Sequence, residues 1–324
     1  MTVVAVCQLG LAVGEVESNR AAAAAAVVEA AGQGAELVVL PELCDSGYVF
    51  TGDAEARTLA TPAADSPTLH EWQALAGGYH TTIAGGFCEL GEDGLLYNSA
   101  ALVGPGGVLA VYRKAHLWDA EKLVFTPGDA PPPVVDLPFG RAALMICYDL
   151  EFPEWVRLAA LVGADLIAAP VNWPAMPVPA GERPCDVVRV QAGACVNGVF
   201  IAVADRCRVE RGVSWVGGTV IVGPDGYPWP ARSPRMSPRF LWRPASWHAP
   251  GTSRSARTMM CSPTAVRCCT GRSPNHRPPA CPTDRPPRRL PGRVVNDLAG
   301  EVVASAVDVA TVGIQRARMP SSCG

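Results

Sequence analysis

The stretch ALMICYDLEFPEW, residues 143–155, decides how this chain is read. Ala142 to Ile146 run apolar into Cys147, and the text then turns polar, with Asp149, Glu151 and Glu154 around Pro153. An apolar run of that length, closed by a polar turn and followed by the helical pattern FPEWVRLAALVGA, predicts a strand, a turn and a helix. The cysteine stands where the strand ends. It is either a reactive thiol held at a strand terminus or one more buried cysteine among the 12 of the chain.

The same alternation extends to both sides. TVVAVCQL and AELVVLPE read as strands flanking the helix RAAAAAAVVEAAGQG, capped at Ser18 or Asn19 and ended at Gly32 or Gly34. A helix around SPTLHEWQALAGGY precedes three strands, TTIAGGFCEL, LLYNSAALV and VLAVYRK, joined by the turns GEDG and GPGG. Beyond the central stretch come the strand DLIAAPV, the helix CDVVRVQAGACVNG and a hairpin over VFIAVADRCRVERGVSWVGGTVIVGPDG. Helices alternating with adjacent and hairpinned strands predict a layered α/β domain on a mixed sheet over residues 1–228.

Composition bounds the partners. With 324 residues, 49% of them apolar, the chain can bury a sizeable core. The formal net charge of −3 conceals a division: residues 1–228 hold 12 Lys and Arg against 26 Asp and Glu, and the remainder holds 15 against 4. The acidic part lacks the clustered cations that neutralise phosphates, which argues against nucleic acid as its partner. The opening MTVVAVCQLGLAV has no basic segment before its apolar run and contains Gln8, so it reads as a strand and not as an export signal. No window reaches the roughly 18 to 20 uninterrupted apolar residues of a membrane span. The seven cysteines of residues 1–228 follow no CxxC or CxxC…HxxxH spacing. That pattern predicts reduced thiols in a cytoplasmic protein, and no metal site.

Near Trp229 the texture breaks. Residues 229–293 hold 13 Arg, 13 Pro and a single acidic residue, Asp284, with no helical or strand period, and such a segment builds no core. Two readings stand open. One is a basic arm for nucleic acid or a membrane surface; the other is a shifted reading frame in GC-rich coding DNA, which yields Arg, Pro, Ser, Ala and Cys in this way. From Val294 to residue 324 the text is globular again, and GEVVASAVDVA reads as a terminal strand.

Three strand ends carry reactive groups: Glu42 after LVVLP, Lys114 after VLAVYR and Cys147 after AALMI. In layered α/β proteins ligands collect beyond the carboxyl ends of strands, so the three can converge on one pocket. Singly, each also reads as a solvated carboxylate, a surface cation and a buried thiol. Together, LPELCDSGY, YRKAHLW and ICYDLEFPEWVR resemble, in order and over about residues 1–228, the motifs of the nitrilase or carbon-nitrogen hydrolase superfamily. The resemblance implies an αββα four-layer sandwich whose subunits form homo-oligomers by pairing helices near the active site. It implies that Glu42 is a general base, Cys147 a nucleophile and Lys114 the cation that steadies an oxyanion, with Glu121 of WDAEKLVFTPG as a second carboxylate. Asn172 and Trp173 in APVNWP fall where the family lines its substrate pocket, and Tyr48 and Tyr148 stand as further cleft walls. His116 is expected in a structural hydrogen bond, and Asp149 and Glu151 in fixing the turn after Cys147. Family members complete their sandwich after the GPDG hairpin, where this chain has its Arg/Pro block, so impaired stability or assembly is expected.

The chemistry asks for these residue types in its own right. A free thiol of pKa about 8.5 is only a few per cent thiolate at neutral pH, so a cysteine nucleophile needs a base or a positive field. The Cys147 sulfur is therefore expected within hydrogen-bond reach of both a Glu42 oxygen and the Lys114 nitrogen. Attack on an amide carbon forms an oxyanion for which Lys114 and the Tyr148 N–H are candidate donors, one such donor being worth ~3 to 4 kcal/mol. Loss of the amine leaves a thioester, which water hydrolyses. No cofactor is needed, and the text holds no P-loop, HExxH or dinucleotide fingerprint. The expected activity is hydrolysis of a small-molecule linear amide or N-carbamoyl amine with release of ammonia. Nitrile hydrolysis, acyl transfer to another acceptor and a silent binding or scaffold protein are the alternatives.

Overall fold

Alternation within single strands explains the layering. In β1 (Thr2–Gln8), Val4 and Val6 face one apolar core while Ala5 and Cys7 face another, as the two-residue period of a strand buried on both sides requires. The computed structural model describes residues 1–229 and 306–312.

β2 (Leu37–Val39) and β3 (Thr82–Leu90) run parallel to β1, β4 (Leu96–Gly104) returns antiparallel to β3, and β5 (Gly107–Arg113) pairs antiparallel with β4 at the edge. The second sheet holds β6 (Val134–Leu137), β7 (Gly140–Leu144), β8 (Leu166–Pro170), β9 (Phe200–Ala204) and an antiparallel edge strand following it in the chain. β7, β8 and β9 are parallel. A two-stranded ribbon, β10 (Val209–Glu210) and β11 (Val213–Ser214), precedes that edge strand, β12 (Val220–Val222). On the free side of β1, β13 (Ala306–Val312) pairs antiparallel from Thr2↔Val312 to Gln8↔Ala306. Val309 of β13 enters the core shared with helices, and Ala310 and Val312 enter the core between the sheets.

Helices cover the outer faces. α1 (Val16–Gly32) is built on alanine, the strongest helix former, and puts Ala23, Ala26, Val27 and Ala30 against the first sheet. After the short α2 (Asp53–Leu59), α3 (Pro67–Tyr79) joins α1 there through Leu69, Trp72 and Ala76. Ser66 caps α3 by accepting from the Leu69 N–H, with Pro67 at the first helical position. α4 (Pro153–Val162) and α5 (Cys185–Asn197) pack on the second sheet through Val156, Ala159, Val190 and Ala194. The order helix, sheet, sheet, helix is the αββα sandwich expected from the sequence.

Some details differ from the sequence reading. Neither Ser18 nor Asn19 caps α1, which starts at Val16 after Glu15. Asn19 lies a turn inside the helix and is buried, donating to the carbonyls of Ala12 and Asp45 at 2.7 and 2.9 Å. A tertiary tie to the loop after β2 claims this side chain in place of a cap. α2 had no periodic signal of its own. Apart from Trp229, the Arg/Pro block lies outside the described residues, as does most of 294–324. Among the described residues no helix is long and apolar enough to cross a membrane.

Candidate active site

Three strands of the two sheets end around one buried cluster. β2 runs on through Leu40 and Pro41 to Glu42, and Leu43 turns the chain with φ 44°. This turn presses on β3 at Gly86, where a Cβ would lie 2.5 Å from Leu43 N and 2.6 Å from Glu42 Cα, so only glycine fits. Lys114 follows β5 and stays registered with β4 through its N–H to Asn98 O at 2.9 Å. Beyond β7, Met145 and Ile146 lead to Cys147, which has φ 44° and opens a 3₁₀ turn over Cys147–Glu151. Asp119, at the head of the 3₁₀ turn that carries Glu121, has φ 42°. Left-handed backbone at non-glycine residues costs free energy, and here it occurs at three turns around one site, with Leu43 and Cys147 buried and Asp119 exposed.

Lys114 Nζ donates to Glu42 Oε1 and to Glu121 Oε1, each at 2.7 Å, with all three residues buried. Glu42 Oε1 also accepts from Asn98 Nδ2 at 2.7 Å, while Glu42 Oε2 has no hydrogen-bond partner. Glu121 Oε1 accepts from Tyr48 Oη at 2.5 Å and its Oε2 from the Trp118 N–H at 3.1 Å. Burial pushes the Glu42 carboxyl up to about 7, with Lys114 pulling it down and Glu121 adding to the rise. Burial disfavours the Lys114 ammonium, yet Glu121 and Glu42 outweigh it and hold its pKa well above the ordinary value. Two buried carboxylates about one ammonium are a poor stabilising device, since desolvation offsets most of their attraction. Buried titratable groups perturbed by burial and by specific charge partners collect at functional sites.

Cys147 lies at this cluster but bonds elsewhere. Its thiol donates to the Asn172 carbonyl at 3.6 Å, not to Glu42 as expected. Glu42 is committed through Oε1 to Lys114 and Asn98, and the 3₁₀ turn sets the sulfur toward the loop after β8. Burial raises the thiol pKa well above its usual value, Glu42 adds to this and Lys114 opposes it. The resting group is a thiol, so the positive field does not generate a thiolate unaided.

Asp149 holds the Cys147 turn. Its Oδ2 accepts from the Ile146 N–H at 3.2 Å and Tyr112 Oη at 2.8 Å. Its Oδ1 accepts from the His116 N–H at 3.0 Å and from His116 Nδ1 at 2.8 Å. Trp155 Nε1 donates to Tyr112 Oη at 2.8 Å, so α4, β5 and the lysine loop are tied to one buried carboxylate. Glu151 instead pairs with Arg189 of α5 at 2.9 Å.

The loop after β8 closes the far side. Asn172 Nδ2 donates to the Glu42 carbonyl at 3.2 Å, and the Trp173 N–H to Asp205 Oδ1 at 3.1 Å. Asp205 Oδ2 also accepts from the Gly218 N–H at 2.8 Å, and burial lifts this carboxyl to about 7 against its backbone donors. The buried Arg206 donates to Glu210 Oε2 at 2.7 Å, and Glu210 accepts from the Tyr48 and Val49 N–H groups at 3.1 and 2.9 Å. Sequence reasoning passed over Asn98, Asp205, Arg206 and Glu210. An asparagine inside the apolar strand LYNSAALV was the available signal for the first.

A cavity of about 240 Å³ adjoins Glu121. Its walls include Tyr48, Phe50, Trp118, Phe125 and Trp215, with Tyr48 edge-on to Trp215 at 5.4 Å. Of the four expected wall residues, only Tyr48 lines it. Tyr148 packs on Phe152, Trp173 is buried beneath Gly218, and Asn172 faces the thiol through its backbone. Among the described residues no group of three or more His, Cys, Asp or Glu is placed to hold a metal ion. Five of the seven described cysteines are buried, and all seven are free.

Known proteins are similar to this chain in sequence and fold. A profile of the carbon-nitrogen hydrolase family matches residues 3–233. A protein of Pyrococcus abyssi described as a nitrilase is 38% identical over 224 residues, 69% of this chain and 82% of its own length. The solved amidase from Nesterenkonia sp. AN1 superposes with a TM-score of 0.63 at 30% identity, covering 70% of this chain and 87% of that one. In a mutant of that amidase the acetamide moiety of fluoroacetamide is covalently added at the active-site cysteine (TM-score 0.60, 29% identity, 70% and 84% covered). From its strand-end cluster and these likenesses, the chain belongs to the carbon-nitrogen hydrolase family.

Proposed function

We propose that this hydrolase cleaves small linear amides through a thioester on Cys147, releasing ammonia. The observation that carries the reading is the buried Lys114 ammonium at 2.7 Å from both Glu42 and Glu121, with the second Glu42 oxygen unpartnered. A carboxyl raised to about 7 can both accept and return a proton near neutral pH. Glu42 takes the thiol proton as Sγ bonds to the amide carbon. The carbonyl π pair moves to oxygen, and the oxyanion is met by the Lys114 ammonium and the Tyr148 N–H. Collapse breaks the C–N bond, and the nitrogen leaves as ammonia with the proton from Glu42. Water then gives its proton to Glu42 and attacks the thioester, and the carboxylic acid leaves as the thiol is reprotonated.

Glu121 acts by position. Its bonds to Lys114, Tyr48 and Trp118 fix the ammonium, since preorganised donors stabilise a transition state without rearranging. The likeness to an amidase favours amides, and the likeness to a protein described as a nitrilase makes nitriles the second arm of the test. Ammonia release is measured over a panel of amides, carbamoyl amines and nitriles, with Cys147→Ala as the control. Turnover of amides that disappears in the variant supports the reading. Amide turnover retained in Cys147→Ala overturns it.

A further inference from the structure

The cavity beside Glu121 has a chemical character that selects among amides. Aromatic and aliphatic side chains form most of its wall: Tyr48, Phe50, Trp118, Phe125, Val213 and Trp215. Among the described residues its only carboxylates are Asp119, which is exposed, and Glu121, and no Lys, Arg or His lines it. Three nearby cations are already committed, and Lys122, in the same turn as Glu121, is exposed and does not line the cavity. Lys114 is held by Glu42 and Glu121, and Arg206 by Glu210. Arg211 reaches the Val49 carbonyl at 3.0 Å but forks onto Glu55 at 2.6 and 2.8 Å.

We infer that this cavity receives the acyl group of a neutral amide with an apolar side chain, and that it rejects amides bearing a carboxylate. The inference rests on the amidase reading of the site. An engineered cavity of about 150 Å³ binds benzene, so about 240 Å³ takes a phenyl ring or a branched chain with a short linker. The cavity meets the cluster at Glu121 and Tyr48, and reaches Pro174, two residues beyond the Asn172 carbonyl that faces the thiol. A substrate anion placed there would lose its hydration among aromatic rings with no lining cation in compensation, since the one buried carboxylate of the wall, Glu121, already takes the Lys114 ammonium. An apolar group of the same shape would lose nothing.

The test is a pair of amides alike in shape, 4-methylpentanamide and succinamate, in which an isopropyl group replaces a carboxylate. The expected kcat/KM ratio is at least ~100-fold in favour of the neutral amide, because a buried unpaired charge is rejected more strongly than a missing methylene. A ratio near one, or a preference for succinamate, overturns the inference. Calorimetric titration of the Cys147→Ala protein with each amide reads the preference without turnover. If no amide is hydrolysed, the amidase reading fails, while tighter binding of 4-methylpentanamide still supports the apolar cavity and equal or tighter binding of succinamate overturns it.

Discussion

Asn98 donates to Glu42 Oε1 at 2.7 Å inside the core, and replacing it with leucine keeps the branching at Cγ but removes that bond. A hydrogen bond to a charged group contributes about 1.5–3 kcal/mol. One pKa unit corresponds to about 1.36 kcal/mol, so losing the bond raises Glu42 by about 1–2 units from a value already lifted to about 7. The base acts in its ionised form. The kcat/KM for amide hydrolysis therefore rises with pH through the Glu42 pKa and falls roughly tenfold per unit below it. The acid limb should stand near pH 7 in the parent protein and about 1–2 units higher in Asn98→Leu. At pH 6 the variant loses about 10- to 100-fold, and the two profiles converge at high pH. Initial rates of ammonia release across the pH range read this, with thermal melts to confirm that both proteins are folded. A variant limb that stays in place, with the rate lowered equally at every pH, would refute the assignment of Glu42 as the base.

Three further substitutions probe the supports. Gly86→Ala drives a methyl group into the backbone of Glu42 and Leu43, and should cost about 1–3 kcal/mol in urea unfolding and most of the amide turnover. Asp149→Ala strands the buried Ile146 N–H and Tyr112 hydroxyl and frees the Cys147 turn. A loss of about 3–5 kcal/mol is expected, read as a lowered melting temperature. Val309→Asp puts a carboxylate into the core beneath α1, and should lower the full-length protein's melting temperature markedly; an unchanged melt would mean that β13 does not dock on β1.

The strand-end residues were legible because strands of this fold are apolar on both faces, so a Glu, Lys or Cys at the end of such a run stands out. Their meeting was not legible from spacing. It depends on two sheets packing face to face, which joins Glu42 and Lys114 from one sheet with Cys147 from the other. The short 3₁₀ turns carrying Glu121 and Cys147 have no period to read, and their left-handed residues are ordinary letters in the text. Asp149 was expected to fix the turn, and its bond to His116 also meets the expectation of a structural histidine. Its bond to Tyr112 crosses from another strand and left no local signal. Of the expected wall residues only Tyr48 lines the cavity beside Glu121. Tyr148 stays half-buried against Phe152 and Trp173 is buried beneath Gly218, while Phe50, Trp118 and Trp215 reach the cavity from three other segments.

The central claim is that Cys147 carries the acyl group. Rapid acid quench of the protein during turnover of a neutral amide, followed by peptide mass analysis, tests it most directly. The account predicts that the peptide containing Cys147 gains the mass of the acyl group, at a level that rises before steady ammonia release is reached. Steady turnover with no acyl mass on that peptide, under conditions where a thioester standard survives the quench, would contradict it.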